Sequence, residues 1–279
     1  MRFKKSRLNT IFYGLLISVI LCQNAAWGDI AIFGDSQNYE AVQRKIVQAV
    51  LSFKPSAVFR VGDNVNDGLN PEQWKFFKEI NEPLLKTGAY FPALGNHEKD
   101  SPLYFDTFPF LNHRRWYSVE RETIHFIILD SNSDLRPGSA QHDWLETDLQ
   151  SIKKDVKFRI VIFHHPIFDV GFHSADMKKL KAVLMPLFQK YEVSAVFSGH
   201  DHNYERFYYK GIFFIITGGG GSRLYGQFRR SPYLQKFKKT FHFCLLSADK
   251  DILKVKVIDI HSNIIDEFMI TAPVSAEKQ

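Results

Sequence analysis

Five apolar runs in this sequence end alike, in a short polar residue able to bind a metal. A chain that gathers such ends has few folds open to it. Ile30-Ala31-Ile32-Phe33 leads to Gly34-Asp35, and Val58-Phe59-Arg60-Val61 leads to Gly62-Asp63. Phe91-Pro92-Ala93-Leu94 leads to Gly95-Asn96-His97-Glu98, and Arg159 to Phe163 leads to His164-His165-Pro166. Val193 to Phe197 delivers Gly199-His200-Asp201-His202-Asn203. In four of the five, Gly stands just before the candidate ligand, where it lets the backbone turn sharply and approach a shared centre. Neutral imidazole is a good ligand for first-row transition metals, and functional groups of α/β proteins collect outside the carboxyl ends of strands. Asp, Asp, Asn, His and His/His on converging strand ends are the composition of a dinuclear metal centre.

The rest of the chain fits that frame. Val42, Ile46, Val50 and Phe53 recur at helical spacing between Tyr39 and Phe53, before Pro55. Asn70-Pro71 opens a second helix with Trp74, Phe77, Ile80 and Leu84 on one face, and residues 99–115 read as a loop with a short helix at most. Trp116–Val119 and Thr123–Leu129 form a hairpin, and Ser139–Ile152 a third helix. Ala175–Lys190 is helical by period, with a kink or break expected at Pro186. Four strand-like runs then close the chain, from Ile212, Phe241, Ile252 and Asn263. Alternating strands and helices followed by strands predict an α/β sandwich, two sheets covered by helices on their outer faces.

The first 28 residues differ in kind. Arg2, Lys4, Lys5 and Arg7 precede the apolar run Ile11–Leu21, and Ala26-Trp27-Gly28 puts small residues before a cleavage point, the layout of an export signal. The run is short against the about 20 apolar residues of a membrane span. The expected organisation is therefore a signal peptide over 1–28, one domain over 29–270 and a loose tail over 271–279, with an exported (periplasmic or secreted) product lacking a stable span. An uncleaved anchor is the alternative. Cleavage removes four positive charges and no negative ones, so the formal charge of +6 falls to +2 and gives no reason to expect nucleic-acid binding. It also leaves Cys244 alone, within the apolar run Phe241–Leu246, where it reads as a small buried hydrophobe.

In their order and spacing, Gly34-Asp35, Gly62-Asp63, Gly95-Asn96-His97-Glu98, Val161-Ile162-Phe163-His164 and Gly199-His200-Asp201-His202 resemble the calcineurin-like metallophosphoesterases. Gln141-His142-Asp143-Trp144-Leu145, Asn203-Tyr204-Glu205-Arg206 and Thr217-Gly218-Gly219-Gly220-Gly221 narrow the likeness to purple acid phosphatases and their bacterial relatives. The resemblance covers Ile30 to about Phe268. It implies a four-layer α/β/β/α sandwich with two mixed sheets, and two divalent metal ions, Mn, Fe, Zn or Mg. Asp63 would bridge them, Asp35 and His202 would hold the first, and Asn96, His164 and His200 the second. A metal-bound hydroxide would then attack a small phosphate ester in line, with His97 acting on the leaving oxygen. Two positions depart from the family. Gln37 stands where many members have His, and Asn66 where the purple enzymes have Tyr. Either offers only an amide oxygen, so the first site is expected to bind more weakly and to lack a tyrosinate-to-iron colour.

His173, nine residues after His164, stands where related phosphatases contact substrate phosphate, although an exposed loop histidine is the simpler reading. Glu98 is expected to orient His97, and His165 to point away from its neighbour. The glycine run at 218–221 lacks the Lys-Ser/Thr ending of a phosphate loop and reads as a tight turn. The aromatic loop from Tyr104 to Phe110 either walls the site or packs. Phosphomonoester hydrolysis is the leading function. The rivals are phosphodiester hydrolysis of nucleotides or lipid head groups, and a non-catalytic metal-binding scaffold.

Overall fold

The computed structural model describes residues 28–173 and 177–273. The expected signal peptide, apart from Gly28, and most of the expected tail lie outside the described residues. Capping explains several helix starts. Asn70 accepts the Glu72 N–H at the head of α2 (Pro71–Leu85), Ser101 that of Leu103 before α3 (Pro102–Thr107), and Ser139 that of His142 before α4 (Ala140–Gln150). Proline opens both α2 and α3, where its missing N–H costs nothing. The remaining long helices are α1 (Glu40–Ser52) and α5 (Met177–Lys190). Of the kink or break expected at Pro186 the break does not occur, since α5 continues through it as one helix. Leu184, Met185, Leu187 and Phe188 around it are buried, and that packing offsets the lost backbone bond.

Thirteen strands are described, and they form two mixed sheets. β1 (Ile30–Phe33), β2 (Ala57–Arg60) and β3 (Tyr90–Pro92) are parallel. They join the antiparallel β11 (His242–Asp249), β12 (Ile252–Asp259) and β13 (Ile264–Thr271) in the order β13-β12-β11-β1-β2-β3. The other sheet contains β4 (Tyr117–Arg121), β5 (Ile124–Ile128), β6 (Phe158–Ile162), β7 (Ala195–Ser198), β8 (Tyr204–Tyr209), β9 (Ile212–Thr217) and β10 (Leu234–Lys238). Its order is β10-β8-β9-β7-β6-β5-β4, with β5, β6, β7 and β9 parallel. β10 went unanticipated. It is a half-buried edge strand of sequence Leu-Gln-Lys-Phe-Lys, polar enough to hide among loop residues.

The inner faces of the sheets meet in one core, where Phe59 of β2 stacks on Phe126 of β5 with ring centroids 4.1 Å apart. A second apolar cluster lies where Leu145 and Leu149 of α4 and Leu184 and Phe188 of α5 meet Val161 and Val196. The four-layer α/β/β/α sandwich is thus the observed architecture. Trp74, Phe77, Tyr90, Tyr104 and Phe108 pack ring to ring, so the aromatic loop belongs to the core rather than to an active-site wall. Cys244 is buried within β11, as expected. No helix among the described residues is long and apolar enough to cross a membrane.

Candidate metal centre

The parallel strands β1, β2 and β3 of one sheet and β6 and β7 of the other deliver their carboxyl-end loops to one place. Asp35, Asp63 and His200 sit there in left-handed backbone conformations, with φ of 56°, 52° and 71°. Each such residue costs roughly 1–3 kcal/mol, and the surrounding fold must hold it there. Two glycines make the convergence sterically possible. A Cβ on Gly95 would collide with the Asp63 carboxylate, and one on Gly199 with that of Asp35. The run at 218–221 plays a similar part: the Gly220 N–H donates to the Gly34 carbonyl at 2.9 Å, packing the turn behind β1.

The side chains face one another with atoms of the kind that bind metals, carboxylate and amide oxygens and imidazole nitrogens. His164 donates its Nδ1 proton to the Val61 carbonyl at 3.0 Å, which leaves Nε2 aimed inward. That nitrogen lies 3.0 Å from Asn96 Oδ1, 3.2 Å from Asp63 Oδ2 and 3.2 Å from His200 Nδ1. His202 likewise gives Nδ1–H to the Arg223 carbonyl at 2.9 Å, and its Nε2 stands 3.6 Å from Asp35 Oδ1. One ligand atom each from Asp35, Asp63 and His202 lies within 4.8 Å of the others. Asp35 Oδ2 is buried with no hydrogen-bond partner. Lone pairs collected this way need a cation or protons between them, so these residues fit a metal pair.

Charge balance says the same. Burial raises the Asp35 carboxyl well above its usual range, and the Asp63 charge adds to it. Burial opposes ionisation of Asp63 too, but His164 and His97 outweigh it and hold that carboxyl low. His164 is buried, yet Asp63 beside it draws its pKa up to about 10. Burial and the neighbouring His164 push His200 down to about 2, and burial holds His202 at about 4. The last two imidazoles are therefore neutral at ordinary pH, with lone pairs free for a metal.

Around this set the structure refines several expectations. His97 donates from Nδ1 to the Asn66 carbonyl at 2.7 Å, and its Nε2 stands 4.0 Å from Asp63 Oδ2. Glu98 does not orient it. Its carboxylate instead accepts the backbone N–H groups of Asp63, Asn64 and Gly95 at 3.0, 2.7 and 2.6 Å, tying two of the ligand loops together. His165 does not point away: its ring lies 4.5 Å from His200 and its Nδ1 2.8 Å from Ser131 Oγ. Gln37 donates its amide to Asp63 Oδ2 at 3.1 Å and keeps a buried, unpartnered oxygen. His173 does reach the site, 4.1 Å ring to ring from His200, with Nδ1 held 3.1 Å from Asp201 Oδ1.

Sequence reasoning missed the network behind His173. Asp169, Asp201 and Glu205 form a second buried acidic group, with one oxygen from each within 4.8 Å of the others. Asp201 accepts the Phe172 N–H at 3.0 Å and Glu205 that of Val170 at 2.9 Å, so the group braces this loop. Burial and the adjacent Asp201 raise the Asp169 carboxyl to about 9. Folded Asp169 thus keeps a proton that the unfolded chain releases near pH 4, and its contribution to stability is lost as pH rises from about 4 to about 9. Asp169→Asn is expected to flatten that decline and to be more stable than the parent at pH 8. Urea unfolding at pH 5 and pH 8 measures this, and an unchanged slope would refute it.

The comparisons with known proteins agree with this geometry. The family model for calcineurin-like phosphoesterases matches residues 28–204. Purple acid phosphatase 18 of Arabidopsis thaliana is 32% identical over 150 residues, covering 48% of this chain and 34% of that protein. A second relative from the same plant, named "Probable inactive purple acid phosphatase 27", is 28% identical over 213 residues, 60% of this chain and 35% of its own length. The chain spans about a third to a half of the curated relatives it matches. Among solved structures, purple acid phosphatase PPD1 from yellow lupin (Lupinus luteus) seeds superposes with a TM-score of 0.76 at 22% identity, covering 87% of this chain and 53% of that one. GAP50, described as the anchor in the inner membrane complex of Plasmodium, gives 0.75 at 19%, covering 90% of both. Both share the fold. With the family model running from ahead of β1 to the start of β8, through every loop of the site, the chain belongs to the calcineurin-like phosphoesterases.

Proposed function

We propose that the protein is an exported, metal-dependent phosphoesterase that hydrolyses phosphomonoesters. The observation that carries this reading is the inward-facing set of Asp35, Asp63, Asn96, His164, His200 and His202, whose metal-binding atoms crowd together. Asp63 would bridge two cations, with Asp35 and His202 on one side and Asn96, His164 and His200 on the other. Held there, two divalent cations supply a nucleophile from water and offset charge on the phosphoryl oxygens. The chain's own groups do the rest. His97, anchored through Nδ1 at Asn66, presents Nε2 toward the centre and in its protonated form donates to the leaving oxygen. His173, braced by Asp201, offers a second donor at the opposite rim, beside His200. Gln37 offers a spare amide oxygen in place of an imidazole beside Asp63, which supports a weaker first site.

The test is hydrolysis of an aryl phosphate by protein stripped of metal and then titrated with Mn²⁺, Zn²⁺, Fe²⁺ and Mg²⁺. Turnover is expected to vanish on stripping and return with metal. A monoester rate above that of the matching diester supports the monoester reading, and the reverse order favours a phosphodiesterase. Tight binding of metal without turnover of either would favour a scaffold, a reading for which the relative named "Probable inactive purple acid phosphatase 27" is a precedent for lost turnover. The first-metal side also bears on colour: with Asn66 in place of Tyr, the iron-loaded protein is expected to show no visible charge-transfer band.

A further inference from the structure

Phe172 and Phe228 are 62% and 66% exposed, yet neither stands on a loose segment. The Phe172 N–H donates to Asp201 Oδ1 at 3.0 Å, and the Phe228 and Arg229 N–H groups both donate to the Val170 carbonyl, at 2.8 and 3.0 Å. Arg229 adds a bond from Nη1 to the Gly171 carbonyl at 2.7 Å. Tyr225 is pinned on the other side, its N–H donating to the His202 carbonyl at 2.9 Å. Large apolar side chains held out to water on fixed backbone are more informative than solitary exposed ones, because folding gains nothing from their exposure.

The three rings form one surface. Phe172 lies 5.6 Å from Tyr225 and 6.2 Å from Phe228, centroid to centroid. This surface is continuous with the candidate metal centre. Tyr225 stacks on the His202 ring at 4.5 Å with an interplanar angle of 15°. Phe172 lies 5.0 Å from His173, whose own ring is 4.1 Å from His200. A phosphate ester seated on the metal-facing atoms of His200 and His202 therefore has aromatic faces within one or two ring widths. Another cleft near the centre, of about 300 Å³, is lined by the amides Gln37, Asn38, Asn64 and Asn66 with Phe76 and Phe77. On the side carrying Phe172, Tyr225 and His173 pack their rings directly against the candidate ligands His202 and His200.

We infer that Phe172, Tyr225 and Phe228 form a leaving-group subsite selecting phosphomonoesters whose leaving group is a planar aromatic ring. The inference rests on the phosphoesterase reading and deepens it. Offset or edge-to-face packing of such a ring supplies binding that an alkyl ester of the same charge cannot match. Phe172 and Phe228 act as specificity-determining positions and take no part in bond breaking.

Binding of two non-hydrolysable probes, phenylphosphonate and methylphosphonate, to the full metal-loaded protein tests this by calorimetry. Turnover of phenyl phosphate and of a short alkyl phosphate is followed alongside. The parent protein is expected to prefer the phenyl probe by about tenfold, and Phe228→Ala and Phe172→Leu each to cut that preference by roughly three- to tenfold. The ratio of the two catalytic efficiencies should fall in step, which cancels the intrinsic reactivity of each ester. Phe228 is exposed, so its replacement keeps the test independent of folding. Equal binding of both probes, or a preference that survives both substitutions, overturns the inference while leaving the phosphoesterase reading intact. Failure to bind either probe, with no turnover of either ester, overturns both.

Discussion

Asn in place of Asp63 is expected to lower turnover of an aryl phosphate about a thousandfold, equivalent to roughly 4 kcal/mol of lost stabilisation. The carboxylate is buried at the crossing point of the site, 3.2 Å from His164 Nε2 through Oδ2, while Oδ1 accepts the His97 N–H at 2.9 Å. An amide has the same shape, carries no charge and offers one accepting oxygen instead of two. If that oxygen keeps the His97 N–H, the amide NH₂ faces the proposed metal position and the bridging proposed for Asp63 would be lost. Metal analysis of the purified variant should then show fewer than two bound ions. His97→Ala provides the contrast. Its ring is not among the inward-facing acceptors, so metal content should hold while kcat falls by about 10²–10⁴. An Asp63→Asn protein that binds two metals and turns over normally would remove Asp63 from the centre altogether.

Glu98→Ala is expected to destabilise the protein by about 3 kcal/mol or more, because three buried backbone donors would be left unpaired at about 1–3 kcal/mol each. Those donors belong to Asp63, Asn64 and Gly95, and the Asn64 side-chain amide adds a fourth at 3.2 Å. For a chain of this size, such a loss corresponds to a melting point lower by roughly 6–12 °C. Glu98→Gln retains one accepting oxygen and should fall between the two. Activity should drop as well, although Glu98 is not among the inward-facing acceptors, because the turns bearing Asp63 and Asn96 lose the anchor that holds them in register. Urea denaturation measures the first effect and aryl phosphate turnover the second. A loss below 1 kcal/mol would mean that water replaces the carboxylate and that the loops hold themselves.

Legibility followed the range of the interactions involved. Helix α2 could be read because Asn70, Pro71 and its apolar stripe are all local. The six inward-facing residues could be read because they follow five apolar strands, His200 and His202 sharing β7, usually after a glycine, and Gly95 and Gly199 show why no larger residue fits. β10 was invisible because an edge strand with charged residues has no burial pattern to betray it. The break offered as one outcome at Pro186 did not occur for a related reason, since the tertiary packing of Leu184 and Phe188 offsets the local cost. Glu98 was assigned to His97 by sequence adjacency, whereas its partners came from the loop after β2, some 35 residues away.

The sequence by itself determined which groups could meet and in what order, because strand, turn and donor type are written within a few residues of one another. Tertiary structure alone decided which faced inward, which acted as braces, and what stood beside them. Asp201 became the partner of His173, Tyr225 the cover of His202, and Phe172 the exposed ring beside both, through contacts spanning 20 to 50 residues of chain. Such pairings depend on how two sheets pack and where loops close across them, and no local pattern carries that information.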